Sequence, residues 1–359
     1  MFGFEVYQIV NFFGFIIGLA FGAIAQKKQF CFSGSIKDYI LTKSTMRGSS
    51  VIVAMLVAVV STYVVSTLYE IDLQETAYYK DNINYFSVIL GGLMFGVGMM
   101  LSDGCSNRHL IKFAQGDINS LIVLVFLAIF AYATSKGLLA EVLNPITNNE
   151  TLIHLSSYIG SVAMNIYFVV GVLILLLIFL VKKIKRIFSL WDGFLIGLLI
   201  AASWYVTAVI GGESMERVIE LNGITFVYPS AKTMEFFTYY QISSLTFPIC
   251  IIFGVLVGAF LMSKINRKYS FGCTASMGQH KVKYNMIGGA LMGTGGILAI
   301  GCTVGEGLTG MSTLAFASLV AILSIFVSAT ITAIILNKKS RLPMCFIFEW
   351  KDNNIDYQI

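Results

Sequence analysis

The chain has 359 residues, of which 57% are hydrophobic and only 12% are charged, whereas soluble domains carry about a quarter charged residues. This composition, with a mean hydropathy of +0.81, excludes an ordinary soluble domain and predicts an integral membrane protein. The formal net charge of +5 does not indicate nucleic acid as a partner, because the basic residues are distributed as the loops of a membrane protein require.

Nine apolar stretches are long enough to cross a bilayer as helices, which takes about 20 residues each. They are too continuous for the alternating strands of a membrane barrel, so the predicted fold class is all-α, a polytopic membrane protein. No signal peptide is expected, since the first stretch is long enough to span and lacks a basic leading segment. In chain order the predicted spans lie at about 4–25, 48–69, 84–102, 118–136, 157–181, 190–211, 240–263, 285–302 and 312–336.

The basic residues divide unequally between the two sets of predicted connections. If alternate connections face the cytoplasm, those at 26–47, 103–117, 182–189 and 264–284, together with the C-terminal tail, hold 20 of the 24 Lys and Arg residues. The opposite connections carry acidic clusters. The positive-inside rule then predicts that the N-terminus lies outside and the C-terminus in the cytoplasm.

One glycine-rich pattern ending in Gly-Cys occurs twice. Residues 91–105 read GGLMFGVGMMLSDGC and residues 288–302 read GGALMGTGGILAIGC, with seven of the fifteen positions identical. With nine spans the first copy runs inward and the second outward, which predicts the inverted repeat that many transporters use to build a central site. We expect one transmembrane transporter domain over 1–359, with a first repeat at about 4–136, linker helices at 157–211 and a second repeat at about 240–336.

Each Gly-Cys is followed by short polar residues and then by more helix, SNRH in the first copy and TVGEG in the second. This pattern predicts a helix that breaks within the membrane and restarts as a short re-entrant half-helix. The backbone N–H groups at such a start, together with the helix dipole, favour an anion. Gly104, Ser106, Gly301 and Thr303 are predicted to present these N-termini. The alternative, that the glycines at four-residue spacing only let helices pack closely, is compatible with the first.

The cysteines show no spacing suited to zinc or to a secreted disulfide framework, so no metal site is predicted. Cys105 and Cys302 stand out because the duplication repeats them at one motif position. Cys31 and Cys273 form a weaker second pair, since each follows a Gly-x-x-x-Gly helix and a basic-aromatic segment. Four thiols would form a path of weak sites that holds a soft sulfur anion without trapping it.

Four charged residues lie near these motifs. Arg108 and Lys112, four apart on a helix, either attract anions at the inner mouth or act as topology signals. Asp103 and Glu306 would repel an anion unless they are paired or protonated, and a proton-coupling role for Glu306 stays open. His109 is predicted to be a plain polar residue on a cytoplasmic connection.

Together these segments resemble the YeeE/YedE family of bacterial inner-membrane thiosulfate transporters. The resemblance rests on the doubled GG-x-x-x-G-x-G-x-x-L-x-x-GC motif, on FCF at 30–32, on AYATSKGLLA at 131–140 and on the closing GCTVGEGLTGMSTLAFAS. It implies an hourglass-shaped protein of the inner membrane, with nine spans and short intramembrane helices. It also implies the import of thiosulfate past Cys31, Cys105 and Cys302.

The resemblance further implies a partner. Some family members are expected to act with a small TusA-like sulfur-carrier protein, sometimes fused to them, and since this sequence ends at Ile359 without such a domain, a separate carrier is expected. No cofactor is expected. Asp103, Glu306 and Cys273 depart from the family pattern, so the ligand is thiosulfate, another reduced sulfur anion or a selenium analogue.

Two functions from other classes stay open at this point. A membrane thiol oxidoreductase or sulfurtransferase would use Cys105 and Cys302 as a redox pair, although the chain has no CxxC, haem-ligand or nucleotide motif. A general anion channel would conduct chloride or sulfate whether or not the thiols are blocked. The favoured prediction is a transporter in the lipid bilayer rather than an enzyme.

Overall fold

A computed structural model describes residues 5–79, 83–148, 164–181, 190–214, 217–239, 245–271 and 279–339. Within these residues the regular structure is helical and contains no strand. The helices are α1 (Val6–Lys28), α2 (Phe32–Thr42), α3 (Met46–Leu68), α4 (Tyr85–Leu101), α5 (Ser106–Ala114), α6 (Ile118–Lys136), α7 (Leu138–Asn148), α8 (Ile166–Val181), α9 (Trp191–Tyr205), α10 (Val227–Tyr239), α11 (Phe247–Ile265), α12 (Gln279–Leu298) and α13 (Phe316–Lys338).

Two stretches have the wider π-helical winding, Val206–Ile210 at the end of α9 and Gly305–Gly310. The second of these forms the middle of a short helix at 303–312. We call α5 the first half-helix and the helix at 303–312 the second half-helix, because each directly follows a Gly-Cys of the repeated motif.

Seven helical stretches in the described part of the chain are long and apolar enough to cross a membrane. They coincide with seven of the predicted spans, and the prediction of an all-helical polytopic membrane protein is confirmed. Helices α8 and α12 lie at the remaining two positions, but α8 has only 16 described residues and α12 begins with the polar sequence QHKVKYN. The count of nine therefore stays a prediction.

Besides the two half-helices, three short helices, α2, α7 and α10, fall outside the predicted spans. The span predicted from about 240 starts instead at Phe247, with Pro248 in the first turn of α11, and α10 ends before it. The reason is length and polarity: helices of 11 to 13 residues are too short to stand out as apolar runs of spanning length.

Glycines set the closest helix contacts. An added Cβ at Gly18 or Gly22 of α1 would lie 2.3 Å from the carbonyl oxygen of Ile251 or Val255 on α11. Such distances leave no room for a side chain, so the backbones of the two helices touch. Glycines at four-residue spacing therefore serve close packing, as one of the two interpretations of the sequence predicts.

The two copies of the glycine-rich segment pack against each other in opposite directions. Gly91 of α4 meets Gly295 of α12, with an added Cβ 2.6 Å from its carbonyl oxygen. Two turns further along α4, an added Cβ at Gly98 would lie 2.7 Å from the carbonyl oxygen of Gly288. Because the position on α12 falls as the position on α4 rises, α4 and α12 are antiparallel.

Candidate functional site

Three helix breaks share one local geometry. At each break the chain passes through a residue in the left-handed region, which ends the helix, and a cysteine follows two positions later. The cysteines are Cys31 before α2, Cys105 before the first half-helix and Cys302 before the second. The residues with positive φ are Gln29 (57°), Asp103 (67°) and Ile300 (66°).

Two of the cysteine sulfurs cap the helix that follows them. The backbone N–H of Gly34 donates to Cys31 Sγ at 3.4 Å, and the N–H of Gly305 donates to Cys302 Sγ at 3.3 Å. In both cases the donor is three residues after the cysteine, as in an ordinary N-cap. The thiols therefore lie at the positive ends of short helices, where negative charge is stabilised.

Cys105 brings the two halves of the chain together. Its sulfur faces the amide of Arg108, the equivalent third residue, and donates a hydrogen bond to Asn107 Oδ1 at 2.6 Å. The same thiol neighbours Cys31 and also the Thr303 hydroxyl, which begins the second half-helix. Groups from three separate helix starts thus meet in one place.

This cluster is closed to solvent. Cys105 and Cys302 are 0% exposed and Cys31 is 1% exposed. The hydroxyl oxygens of Ser106 and Thr303, at the first positions of the two half-helices, are also buried, and neither has a hydrogen-bond partner of regular geometry among the described residues. Buried hydroxyls of this kind are rare in folded proteins, and they are donors that a ligand can use.

A buried ion-pair network lies beside the cysteines. Asp103 forms an ion pair with Lys37 of α2 and a second with Lys112, whose Nζ lies 3.1 Å from Asp103 Oδ2. Lys112 also donates to the Asp103 carbonyl oxygen at 2.9 Å. The buried Arg108 is close enough to Cys31 to act on its thiol electrostatically. Three cations and one carboxylate leave this region positive, which suits an anion.

Lys37 is a site residue that the sequence does not reveal: it is 1% exposed and pairs with Asp103 across 66 positions. Its sequence signal is weak, because a lysine after the first span equally suits a topology signal. The structure does show why Asp103 need not repel an anion: its charge is balanced by two lysines.

Glu306 lies on the second half-helix and has different surroundings. It is 1% exposed, and its Oε1 has no hydrogen-bond partner among the described residues. Its neighbours are Gly301, where an added Cβ would lie 2.8 Å from Oε1, and Tyr78, whose hydroxyl donates to the Gly305 carbonyl oxygen at 3.1 Å. No ion pair to Glu306 is found in the described part of the chain.

The prediction for His109 is wrong. The side chain is 2% exposed, and its two ring nitrogens lie 3.1 Å from Ser120 Oγ and 3.4 Å from Ser102 Oγ. The physical reason is that residues 103–117 fold inward as α5 instead of forming an exposed connection. His109 is thus a buried, hydrogen-bonded residue behind the first half-helix.

The remaining predicted site residues have simple positions. Gly104 packs under the first half-helix, where an added Cβ would lie 3.2 Å from both Arg108 and His109. Gly301 packs against Glu306 in the same way. Cys273 lies outside the described residues, so its proposed place in the row of thiols is a prediction still.

Broken helices that bury thiols, hydroxyls and cations inside a polytopic helical protein define a membrane transport protein. Residues 27–331 match the family model described as Sulphur transport. Because the match covers most of the chain, this protein belongs to that family.

Two relatives support the assignment over most of the chain. The protein is 24% identical over 327 residues to the thiosulfate transporter TsuA of Escherichia coli strain K12, covering 82% of this chain and 86% of the relative. It is 23% identical over 323 residues to the thiosulfate transporter TsuA of Spirochaeta thermophila, covering 85% of this chain and 92% of that relative.

Proposed function

We propose that this protein imports thiosulfate, or a closely related reduced sulfur anion, along a path of cysteine thiols and half-helix N-termini. The observation that carries the proposal is the meeting of Cys31, Cys105 and Thr303 at three helix starts. The names of the two relatives point to the same substrate.

The chemistry of the site matches both ends of thiosulfate. The oxygens of thiosulfate accept hydrogen bonds from the Ser106 and Thr303 hydroxyls and from the half-helix amides. Its soft terminal sulfur faces the polarisable thiols, and the cations beside Asp103 balance its double negative charge. Neutral thiols along the path avoid placing more ions in the membrane, where each is costly. The sulfur–sulfur bond of the substrate stays intact, so the protein acts as a transporter and not as an enzyme.

We further propose a bacterial inner-membrane location with the N-terminus outside and the C-terminus in the cytoplasm. The distribution of Lys and Arg residues supports it, with 20 of 24 in the connections assigned to the cytoplasm. In this orientation α4 runs inward and α12 outward. Reporter fusions after residues 70 and 339 test the assignment, since only the second should be active in a cytoplasmic assay.

A separate TusA-like sulfur-carrier protein is proposed as the cytoplasmic acceptor. Its support is the family resemblance alone. Copurification of such a carrier with the full chain, dependent on thiosulfate, is the expected result, and transport that proceeds at full rate with no carrier present would argue against a required partner.

The main experiment measures labelled thiosulfate uptake by the purified protein in reconstituted vesicles. We expect saturable uptake. Unlabelled thiosulfate and a selenium analogue should reduce it, whereas sulfate and chloride should have no effect because these two ions lack a soft terminal atom. Equal competition by sulfate would instead indicate a general anion channel.

Because Cys31 and Cys105 are neighbours, a redox function is the alternative, and the same vesicle assay can test it. A thiol oxidoreductase or sulfurtransferase would carry a disulfide or persulfide on these cysteines during turnover. Mass spectrometry of the protein quenched during uptake should find unmodified thiols if the protein only transports. A cysteine persulfide that accumulates when thiosulfate is added would instead assign the protein to the sulfurtransferases.

A further inference from the structure

Six helical elements occur twice in the same order. The first set is α1 to α6, and the second is α9, α10, α11, α12, the second half-helix and α13; in each set the second and fifth elements are short. Contacts between the sets are reciprocal: α1 packs on α11 and α9 on α3, while α4 packs on α13 and α12 on α6. The first half-helix meets α11, as the second meets α3.

Directions of packing agree with this exchange. Helices α1 and α11 are parallel, and so are their counterparts α9 and α3, whereas α4 and α12, which exchange with each other, are antiparallel. This relation fits two inverted repeats with the second beginning at α9, whereas the sequence predicts its start at about 240. The contacts that fix the parallel directions are Gly18 with Ile251, Gly22 with Val255, Gly193 with Ser50 and Gly197 with Val57.

The exchange pairs α2 with α10, and therefore pairs the residues that precede them. Phe-Cys-Phe at 30–32 enters α2 with its last residue, whereas Ile-Thr-Phe at 224–226 ends immediately before α10, so the two triplets correspond with an offset of one residue from the helix start. The outer residues of both triplets are buried. The central residue is Cys31 in the first triplet and Thr225 in the second.

The two central residues also have equivalent neighbours. Cys31 lies beside Cys105 and within electrostatic reach of Arg108, three residues after Cys105. Thr225 lies beside Gly305, three residues after Cys302: an added Cβ at Gly305 would be 2.7 Å from Thr225 Oγ1 and 3.7 Å from Cys302 Sγ. Each thus faces the first turn of the half-helix in its own repeat.

The position of Thr225 is fixed by its surroundings. The Thr309 hydroxyl of the second half-helix donates to the Ile224 carbonyl oxygen at 2.7 Å, which holds the chain immediately before Thr225. Thr225 is partly exposed, unlike the three buried cysteines, and its hydroxyl lies against Gly305 close to Cys302.

We propose that Thr225 lines the translocation path at the position equivalent to Cys31 and donates a hydrogen bond from its hydroxyl to an oxygen of the transported anion. The inference rests on the proposed import of a thiosulfate-type anion. It makes the path asymmetric in chemistry, with a thiol in the first repeat and a hydroxyl in the second, matched to an anion that has both sulfur and oxygen ends.

Uptake by Thr225 variants tests the hydroxyl. Thr225→Val keeps the shape and removes the donor, so the KM for thiosulfate should rise about tenfold to a hundredfold, as for the loss of a hydrogen bond to a charged group. Thr225→Ser restores the donor and should recover most of that loss. The matched control is Thr134→Val on α6. In the described part of the chain the Thr134 hydroxyl bonds only to its own helix, at the Phe130 carbonyl oxygen, so its loss should leave the KM unchanged.

A crosslink tests the position without reference to transport. In Thr225→Cys, mild oxidation should join the new thiol to Cys302, and the linked peptides should be found by mass spectrometry of the full chain. A Thr134→Cys variant should give no such link.

The outcomes separate the inference from the function on which it rests. If the unchanged protein takes up thiosulfate and Thr225→Val matches Thr134→Val, the role of Thr225 is overturned and the proposed function stands. If the unchanged protein takes up no thiosulfate, the proposed function fails. Absence of the link to Cys302 would overturn the assigned position.

Discussion

The break before the first half-helix and the break before the second have the same backbone and opposite chemistry. Both pass through a left-handed residue, then glycine, then cysteine. The first is surrounded by a buried network of charges centred on Asp103, whereas the second holds Glu306 with no ion pair in the described residues. The two copies of the motif therefore keep the same backbone geometry and the same buried hydroxyl at the start of the half-helix, while only the first is surrounded by ion pairs in the described residues.

The largest effect is expected at the thiol that joins the two halves. Cys105→Ala removes the group that neighbours both Cys31 and Thr303, so thiosulfate uptake should fall to background while the protein stays folded. The same result is expected for Cys302→Ala. Vesicle uptake, with elution volume in detergent as the check on folding, measures both.

Cys250→Ala is the matched control, because Cys250 is a buried cysteine within the regular helix α11 and does not precede a helix start. It should transport at the normal rate. Undiminished uptake in both Cys105→Ala and Cys302→Ala would contradict the thiol path.

Second in size is the loss of the shared carboxylate in the first break. Asp103→Asn leaves Lys37 and Lys112 without the charge they both contact, and removing one partner of a buried ion pair costs about 3–5 kcal/mol. Thermal unfolding in detergent should show the loss. Ile300→Val, at the equivalent position of the second break, should change the unfolding free energy by less than about 1.5 kcal/mol. A loss in Asp103→Asn that is no larger than the loss in Ile300→Val would show that the charge network adds no stability.

A smaller effect is expected where the backbones touch. Gly18→Ala places a Cβ 2.3 Å from the Ile251 carbonyl oxygen, so α1 and α11 must separate, at about 1–3 kcal/mol for an overpacked contact. Gly171→Ala on α8 is the control, because nothing lies within 4 Å of an added Cβ there. A melting temperature for Gly18→Ala equal to that of the control would argue against close packing of these helices.

The smallest effect is expected at the carboxyl of the second break. Glu306→Gln has nearly the same size and removes no ion pair among the described residues, so the unfolding free energy should change by no more than about 1.5 kcal/mol, the net value of one hydrogen bond. The comparison with Asp103→Asn sharpens the contrast between the breaks. A loss as large as that of Asp103→Asn would mean that Glu306 has a charged partner in the folded protein.

Much of the architecture was readable because it depends on local pattern. The span at 118–136 coincides with α6, and the half-helices after Cys105 and Cys302 lie where the Gly-Cys motif predicts them. Helix α10 was missed because its 13 residues carry neither an apolar run nor the motif. Only its packing on α6, reciprocal to that of α2 on α13, reveals what it matches.

The error at His109 has a related cause. The charge count assigns 103–117 to a cytoplasmic connection, whereas the Gly-Cys motif predicts a half-helix from the same residues, and His109 lies on that half-helix. The buried positions of Lys37 and Lys112 follow from the same inward fold, which brings a carboxylate from one break to lysines on two helices.

By itself, then, the sequence determined that this protein lies in a membrane, roughly where its helices run and where they break. These features depend on hydropathy and glycine content within a few helical turns. Only the tertiary structure decided which groups meet: Cys31 with Cys105, Asp103 with two lysines, and Thr225 with the break at Cys302. Those contacts join residues far apart in the chain, and they depend on helix directions and on close approach at glycines. The order of residues along the chain does not contain that information.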